Sequence, residues 1–475
     1  MSKKVFLCGV GGSGMSALAR YFLSENYEVF GSDVGESAIT KTLQEEGITF
    51  FTEQKSENIT ENNIDLFVYT EAIFQNANDD SKNHPEFNAA QDKKIETKKY
   101  AEMIGEISKN YYTIAVSGSH GKSSTTSMLA TILRDAGKEV ISIVGANIHD
   151  WDGKNFLKAN EGASDGMPTK KYFVVEACEY RDSFLNIEPN SIVVTNTDPD
   201  HLDYFKTEEN YFASFKKFLT KLPQFGSFIS FLQGENIMKI LPDNFHPRKY
   251  GAEDSIDEVP QLQVLGDFQK LNAACAIEAA KALKISEEDS IKSLEKYKGL
   301  ARRFDIVANV ENITVINDYA HHPTSLKMAI HSAREYVKTN KLKKLWVVFQ
   351  PHQYSRVRKF QEEFISVFKE ADEVLVPNVF ESRDSADDIA KFDIVEFVAK
   401  IEADMTHIEK KRSNIWGQGP KKRGQVFYKK QARHTNGFEN TLEILDDYAY
   451  DGDVVLVIGA GDVHKLSEAF IASKS

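Results

Sequence analysis

The sequence predicts an α/β protein of three domains built on mostly parallel sheets, and three observations carry that prediction. Its 475 residues are enough for several hydrophobic cores. Short apolar runs alternate with stretches of helical spacing, the pattern of parallel strands covered on both faces. Glycine-rich turns stand where apolar runs give way to helices, at residues 9–14 and again at 118–123. Apolar residues make up 41% and charged residues 27% of the chain, which excludes disordered, collagen-like and coiled-coil classes.

The first unit, residues 1–107, opens with the apolar run Lys4-Val5-Phe6-Leu7-Cys8, followed by Met15, Leu18, Ala19, Phe22 and Leu23 at helical spacing. Residues 27–32 and 65–70 read as two more strands, and the polar stretch 75–94 reads as a surface loop. The second unit, 108–299, starts at Tyr112-Thr113-Ile114-Ala115-Val116 and continues through a helix carrying Met128, Leu129, Ile132 and Leu133. Its further strands are predicted at 172–176 and 191–196, with an exposed insertion at 150–171 and an alanine-rich helix at 272–283. The third unit, 300–475, restarts the pattern, with strands predicted at 314–317, 345–350, 373–377 and 454–459. A basic, glycine-containing stretch at 410–433 reads as a solvated insertion rather than an anion-binding loop.

Fifty-eight basic residues face seventy-one acidic ones, a formal charge of −13. Such a surface repels phosphate backbones and anionic membranes, so neither nucleic acid nor membrane is expected as a partner. No stretch approaches the roughly 20 apolar residues of a membrane span, and glycines interrupt the first apolar run too early for a signal peptide. Three cysteines without a CxxC pair fit a reducing, cytoplasmic setting.

Two motifs carry chemistry at once. Gly9-Val10-Gly11-Gly12-Ser13-Gly14 fits GxGxxG between a strand and a helix, with Asp33 after the next strand. Taken alone, this segment suggests a dinucleotide enzyme such as an NAD-dependent dehydrogenase, with Gly11, Gly12, Ser13 and Gly14 around a diphosphate. Gly118-Ser119-His120-Gly121-Lys122-Ser123-Ser124 is more specific. It supplies backbone N–H groups to phosphates, Lys122 to offset their charge and the Ser123 hydroxyl to Mg²⁺. Its two residues between glycines, where four are usual, narrow the class of nucleotide enzyme. Glu176 ends one following strand, and Asp198, Asp200 and His201 follow another. A carboxylate and an imidazole at strand ends beside a phosphate loop suit Mg²⁺ sites that bridge ATP to a second substrate. In the third unit Asp318 is a candidate for a ribose or metal, and His352 with Arg356 for a small carboxylate. The pair His321-His322 has no Cys or Glu at ligand spacing, so zinc is not expected there.

In order along the chain, GVGGSGMSALA, GSD, GSHGKSSTTS, VEACEYRDSFL, TNTDPDHLDYF, ARRFD, NDYAHHPT, FQPHQYSR and GAGDV resemble the Mur ligase family over nearly the whole length. The resemblance implies a Rossmann-like N-terminal domain for a UDP-sugar, a central P-loop ATPase-like domain with a mostly parallel sheet, and a Rossmann-like C-terminal domain for an amino acid. It implies ATP and Mg²⁺, with UDP-N-acetylmuramate and L-alanine as small-molecule substrates joined through an acyl phosphate, in a monomer or weak dimer. UDP binding in the first domain overrules the dehydrogenase reading. By this match Lys122, Glu176 and His201 are catalytic, and Ser123, Glu176 and His201 surround metal ions. Asn272, Arg303 and Asp318 join the phosphate loop in holding the nucleotide. Ser32, Asp33, Ser37, Thr40, Tyr319, His322, His352 and Arg356 join the first glycine loop in holding the other substrates.

Three departures stand out. Phe268-Gln269 replaces the family's His-Asn pair before the alanine-rich helix, Gln353 replaces an arginine after FQPH, and Thr70-Glu71-Ala72 replaces Ser-Ser-Ala. Glu71 therefore either edges the uridine site or faces solvent. Rival functions are a ligase attaching a recycled peptide to the same sugar nucleotide and a non-catalytic sensor of muramyl nucleotides. Intact Lys122, Glu176 and His201 argue against the sensor.

Overall fold

The computed structural model describes residues 2–474 apart from 75–82, 163–169, 235, 383 and 416–429. Three sheets carry the chain. The first holds β1 (Lys4–Cys8), β2 (Glu28–Ser32), β3 (Thr49–Phe51), β4 (Leu66–Tyr69) and β5 (Glu96–Lys99), all parallel in the order β3-β2-β1-β4-β5. The second holds β6 (Tyr112–Ser117), β7 (Val140–Ile148), β8 (Lys154–Ala159), β9 (Tyr172–Glu176), β10 (Ser191–Val194), β11 (Ser227–Ser230) and β12 (Arg248–Gly251), in the order β12-β11-β10-β6-β9-β7-β8. The third holds β13 (Asp305–Val310), β14 (Ile313–Asp318), β15 (Leu345–Phe349), β16 (Glu373–Val376), β17 (Gln431–His434) and β18 (Val454–Ile458), in the order β13-β14-β18-β15-β16-β17. Among the described residues, only the edge strands β8 and β13 run antiparallel to their neighbours. The central strands are buried on both faces, as their unbroken Val/Ile/Phe runs require.

The first two sheets belong to one compact unit, residues 1–263 with 269–298, and the third to a second, 264–268 with 299–475. In each sheet the strand order reverses beside a central strand. That reversal opens a crevice at the strands' C-terminal ends, where α/β sheets bind ligands. The loop after β1 lies between β2 and β4, the loop after β6 lies between β10 and β9, and β18 lies between β14 and β15.

Two expected loops contain regular structure. Within 75–94 the segment Pro85–Asp92 is a helix, started by Pro85 in its first turn and holding Ala89 and Ala90 against the first sheet. Two turns are too short to display a periodicity. Within 150–171, β8 pairs with β7, and Trp151 and Asn155 are buried. Asn155 donates to the Ser13 carbonyl and to Ser16 Oγ at 2.7 and 3.0 Å, and accepts from Arg20 at 2.5 Å. Arg20 in turn pairs with Glu46. A polar cluster between the first helix, Ser13–Ser24, and β8 therefore joins the first two sheets, and composition alone marks it as surface. The basic stretch begins inside the helix Ile394–Ile415, and its 416–429 portion lies outside the described residues.

Candidate functional site

The helix Lys122–Asp135 begins directly after the loop that follows β6, and its N-cap Gly121 has φ +81. A side chain at Gly121 would run into the Asn272 amide, so both conformation and close approach require glycine. Thr195 and Asn196, just past β10, brace the loop: Asn196 Nδ2 donates to the His120 carbonyl at 2.8 Å, and Asn196 Oδ1 accepts from the His120 N–H at 3.2 Å. Ser119 Oγ bonds Tyr211 at 2.6 Å and also reaches the Asp198 carbonyl, so its side chain holds the loop rather than a ligand. Ser123 and Ser124 are buried in the first helical turn, and Asn272 packs beneath.

Lys122 Nζ turns back over the loop. It donates to Gly118 O at 2.5 Å, to Ser119 O at 3.3 Å, and to both oxygens of Glu179 at 3.0 and 3.2 Å. Burial alone would lower the Lys122 pKa, but Glu179, with smaller contributions from Cys178 and Glu176, outweighs it and holds the ammonium firmly charged. Glu179 is fully buried, and His201 Nε2 lies 3.8 Å from its other side. His201 caps a short helix in a left-handed conformation, its ring 4.7 Å from that of Tyr180. Glu176, at the end of β9, accepts from the Gly145 N–H at 2.7 Å. Three adjacent strand ends, β9, β6 and β10, thus bring an ammonium, two carboxylates and an imidazole around one loop. Sequence reasoning missed Glu179, although it stands three residues after Glu176 within VEACEY.

At the first loop the charges are reversed. Asp33 Oδ2 accepts from the Gly11 N–H at 2.8 Å and Oδ1 from Val34 N–H at 2.8 Å, so this carboxylate braces the loop itself. Gly12 caps the first helix, which begins at Ser13. Gly14 packs against the ring of Tyr100, a phenol whose pKa is raised by burial and by Glu176. Ser37 and Thr40 cap the helix Ala38–Glu45 reciprocally. The Ser32 hydroxyl, expected against substrate, is instead fully buried and donates to Glu86 at 2.6 Å. Glu71, partly exposed, pairs with Lys99 at 2.6 Å and Arg181 at 2.8 Å.

In the second compact unit, Asp318 ends β14 fully desolvated. Burial raises its pKa against the pull of Arg303, of the Ala320 and Phe304 N–H groups and of Arg302. Those N–H groups sit 2.7 and 2.8 Å from its two oxygens, so Asp318 closes the 302–304 turn. Arg302 and Arg303 both stack on Tyr319, at 4.9 and 5.1 Å, and Arg302 also donates to the Gly459 and Gly461 carbonyls. Past β15, Arg356 lies 3.3 Å from His352 Nδ1, and the His352 ring stacks on Phe380. His321 links this pair to Tyr319 through ring contacts of 6.0 and 5.5 Å. His322 turns away, capping the helix Pro323–Thr339 and packing on Phe360. Gln353, at the position of that second arginine, donates to the Ser382 carbonyl at 2.9 Å.

Family models match in succession along the chain: Mur ligase family, catalytic domain, over residues 4–112; Mur ligase middle domain over 116–259; and Mur ligase, glutamate ligase domain, over 302–461. The chain belongs to the Mur ligase family. This Mur ligase is 34% identical to the UDP-N-acetylmuramate–L-alanine ligase of Acetivibrio thermocellus, covering 99% of this chain and 96% of that one. It is also 34% identical to the enzyme of that name from Clostridium kluyveri, over 99% and 98%. Among solved structures, the UDP-N-acetylmuramate–alanine ligase of Thermotoga maritima superposes with a TM-score of 0.72 at 23% identity, covering 99% of this chain and 98% of that one. A murein peptide ligase from Psychrobacter arcticus gives 0.66 at 18% identity over the same shares, so this fold is common to both specificities. No helix among the described residues is long and apolar enough to cross a membrane.

Proposed function

We propose that this Mur ligase uses ATP to join L-alanine to the lactyl carboxylate of UDP-N-acetylmuramate, a step in making peptidoglycan precursors in the cytoplasm, and that it works as a monomer or weak dimer. The observation that carries the reading is the convergence of Lys122, Glu176, Glu179 and His201 on the loop after β6. The full-length similarity to alanine ligases selects the acceptor.

A carboxylate is a poor acyl donor until one of its oxygens becomes a phosphate leaving group. In this reading the lactyl oxygen attacks the γ-phosphorus of ATP and ADP departs. The amine of L-alanine then attacks the carbonyl, phosphate departs and the nitrogen gives up a proton, leaving the amide. The loop's N–H groups receive the phosphates at the helix N-terminus. Lys122, held over the loop by Glu179 and two carbonyls, offsets charge that grows on the transferring group. Ser123, Glu176 and His201 would hold Mg²⁺, and the set fits: a buried hydroxyl at the helix start, a carboxylate oriented by Gly145 N–H, and an imidazole at the neighbouring strand end. When bound, the cation supplies further neutralisation of phosphate charge. The first glycine loop, with Asp33 bracing it, holds the UDP-sugar. Asn272 supports the nucleotide loop, Arg303 and Asp318 serve the nucleotide, and Arg356 with His352 takes the carboxylate of L-alanine as a planar fork.

The test is phosphate release by the purified protein with ATP and UDP-N-acetylmuramate, offering L-alanine, glycine, L-serine or a muramyl-type tripeptide. The reading expects L-alanine to give the highest kcat/KM. Turnover with the tripeptide but not L-alanine would move the chain to the peptide-recycling specificity. Tight sugar-nucleotide binding without turnover would make it a sensor.

A further inference from the structure

Beneath the first glycine loop, three side chains that the proposed reaction does not use converge in the core. Cys8 ends β1, and His84 and Glu86 open the helix Pro85–Asp92, which Ser32 at the end of β2 reaches through Glu86. All three are buried, and their donor atoms lie within 4.8 Å of one another. Cys8 Sγ is 3.1 Å from Glu86 Oε2 and 4.0 Å from His84 Nδ1. Ligand bonds of about 2.0–2.3 Å at tetrahedral angles set donor atoms roughly 3.2–3.8 Å apart, so the observed separations bracket those of a coordinated cation.

We propose that Cys8, His84 and Glu86 form a binding site for a thiophilic divalent cation of the zinc and cadmium class. The donor chemistry selects that class. The thiolate decides it: a soft sulfur donor disfavours Mg²⁺ and Ca²⁺, which take oxygen ligands, and favours zinc and cadmium. A thiolate and a carboxylate together balance the charge of one divalent ion.

The surroundings agree. Gln54 Oε1 lies 3.1 Å from His84 Nε2, which places the ring proton there and leaves Nδ1 as the ring's ligating atom. Cys8 Sγ lies almost equally far from the two ring nitrogens, 4.0 and 3.9 Å, so a tilt of the ring completes the geometry. Glu86 is a fully buried carboxylate whose donors are Ser32, Asn58 and the thiol, and among the described residues no lysine or arginine forms an ion pair with it. Binding converts the Cys8 thiol to a thiolate and releases that proton to solvent. The cation would tie β1 to the helix Pro85–Asp92, directly under the loop that begins at Gly9.

The site stands whether or not the proposed reaction is correct, and its test involves no turnover. The full-length protein, stripped with chelator and kept in excess Mg²⁺, is titrated with CdCl₂ and separately with ZnCl₂. Expected are one cation bound per chain, a sulfur-to-cadmium charge-transfer band in the near ultraviolet and a higher Tm with zinc. Cys8→Ser should abolish the band. His84→Asn should keep the band and weaken affinity by at least about 10–100-fold, since even losing an outer-shell partner of a ligand costs that much. Cys178→Ser should change neither, since that cysteine lies by Lys122. A band that survives Cys8→Ser, one that disappears only in Cys178→Ser, or a wild type with neither band nor zinc-dependent Tm overturns the proposal. Should Cys8→Ser not fold, unchanged affinity in His84→Asn overturns it equally.

Discussion

The two glycine loops of the first compact unit share a plan and differ in charge. Each follows a central parallel strand, each starts a helix, and each is braced by a side chain from the end of a neighbouring strand. The brace after β1 is a carboxylate, Asp33 on the Gly11 N–H, and loop residues 9–14 include no basic residue. The brace after β6 is the neutral amide of Asn196, while the charged member, Lys122, belongs to the loop and is gripped by a buried glutamate. A loop closed by an acid is a rigid cradle with modest pull on phosphate. A loop carrying a desolvated ammonium beside two carboxylates and an imidazole is built for charge that changes during a reaction. On the proposed function, the same glycine pattern serves holding in one place and chemistry in the other.

Substitutions that exchange these features should break the comparison in graded steps. The largest effect belongs to Lys122→Ala, for which kcat should fall about 10³-fold or more while calorimetry finds UDP-N-acetylmuramate binding intact. Near-normal turnover would remove the phosphate loop from the chemistry. Glu179→Gln keeps the shape but releases the ammonium, and a lysine displaced by even 1 Å should cost about 10²-fold in kcat. An unchanged kcat would mean that the Gly118 and Ser119 carbonyls position Lys122 by themselves. Asp33→Ala loosens the first loop and should weaken UDP-N-acetylmuramate binding by about 1–2 kcal/mol, with kcat at saturation little altered. A fall in kcat instead would place Asp33 in the chemistry. The smallest effect is expected from Glu71→Ala, which removes a partly exposed pair of ion contacts worth about 0.5–1 kcal/mol of stability in denaturant unfolding. A large rise in the KM for the sugar nucleotide would return Glu71 to the ligand site.

Legibility in the sequence followed the range of the interactions. The strands flanking both loops were readable because apolar runs ending in glycine are local signals, and the turn from β6 into the helix at Lys122 because its glycines mark that junction locally. Glu179 was not, although it stands in the same motif as Glu176, because only the fold decides which of two nearby acids turns toward Lys122. Asn155 and β8 were hidden in polar composition, since what buries Asn155 is the first helix, more than a hundred residues away. Ser32 looked like a ligand residue because it precedes Asp33, but strand alternation turns its hydroxyl to the core side and Glu86. Glu71 found partners on β5 and beyond β9 that no local window contains.

The central claim is that the loop after β6 drives phosphorylation of a carboxylate held by the loop after β1. It is tested most directly with UDP-N-acetylmuramate carrying ¹⁸O in its lactyl carboxylate. Turnover with ATP and L-alanine should release inorganic phosphate bearing an ¹⁸O atom from the donor, seen by mass spectrometry, because the oxygen that attacked phosphorus leaves with it. Phosphate free of the label, alongside amide product, would contradict the account.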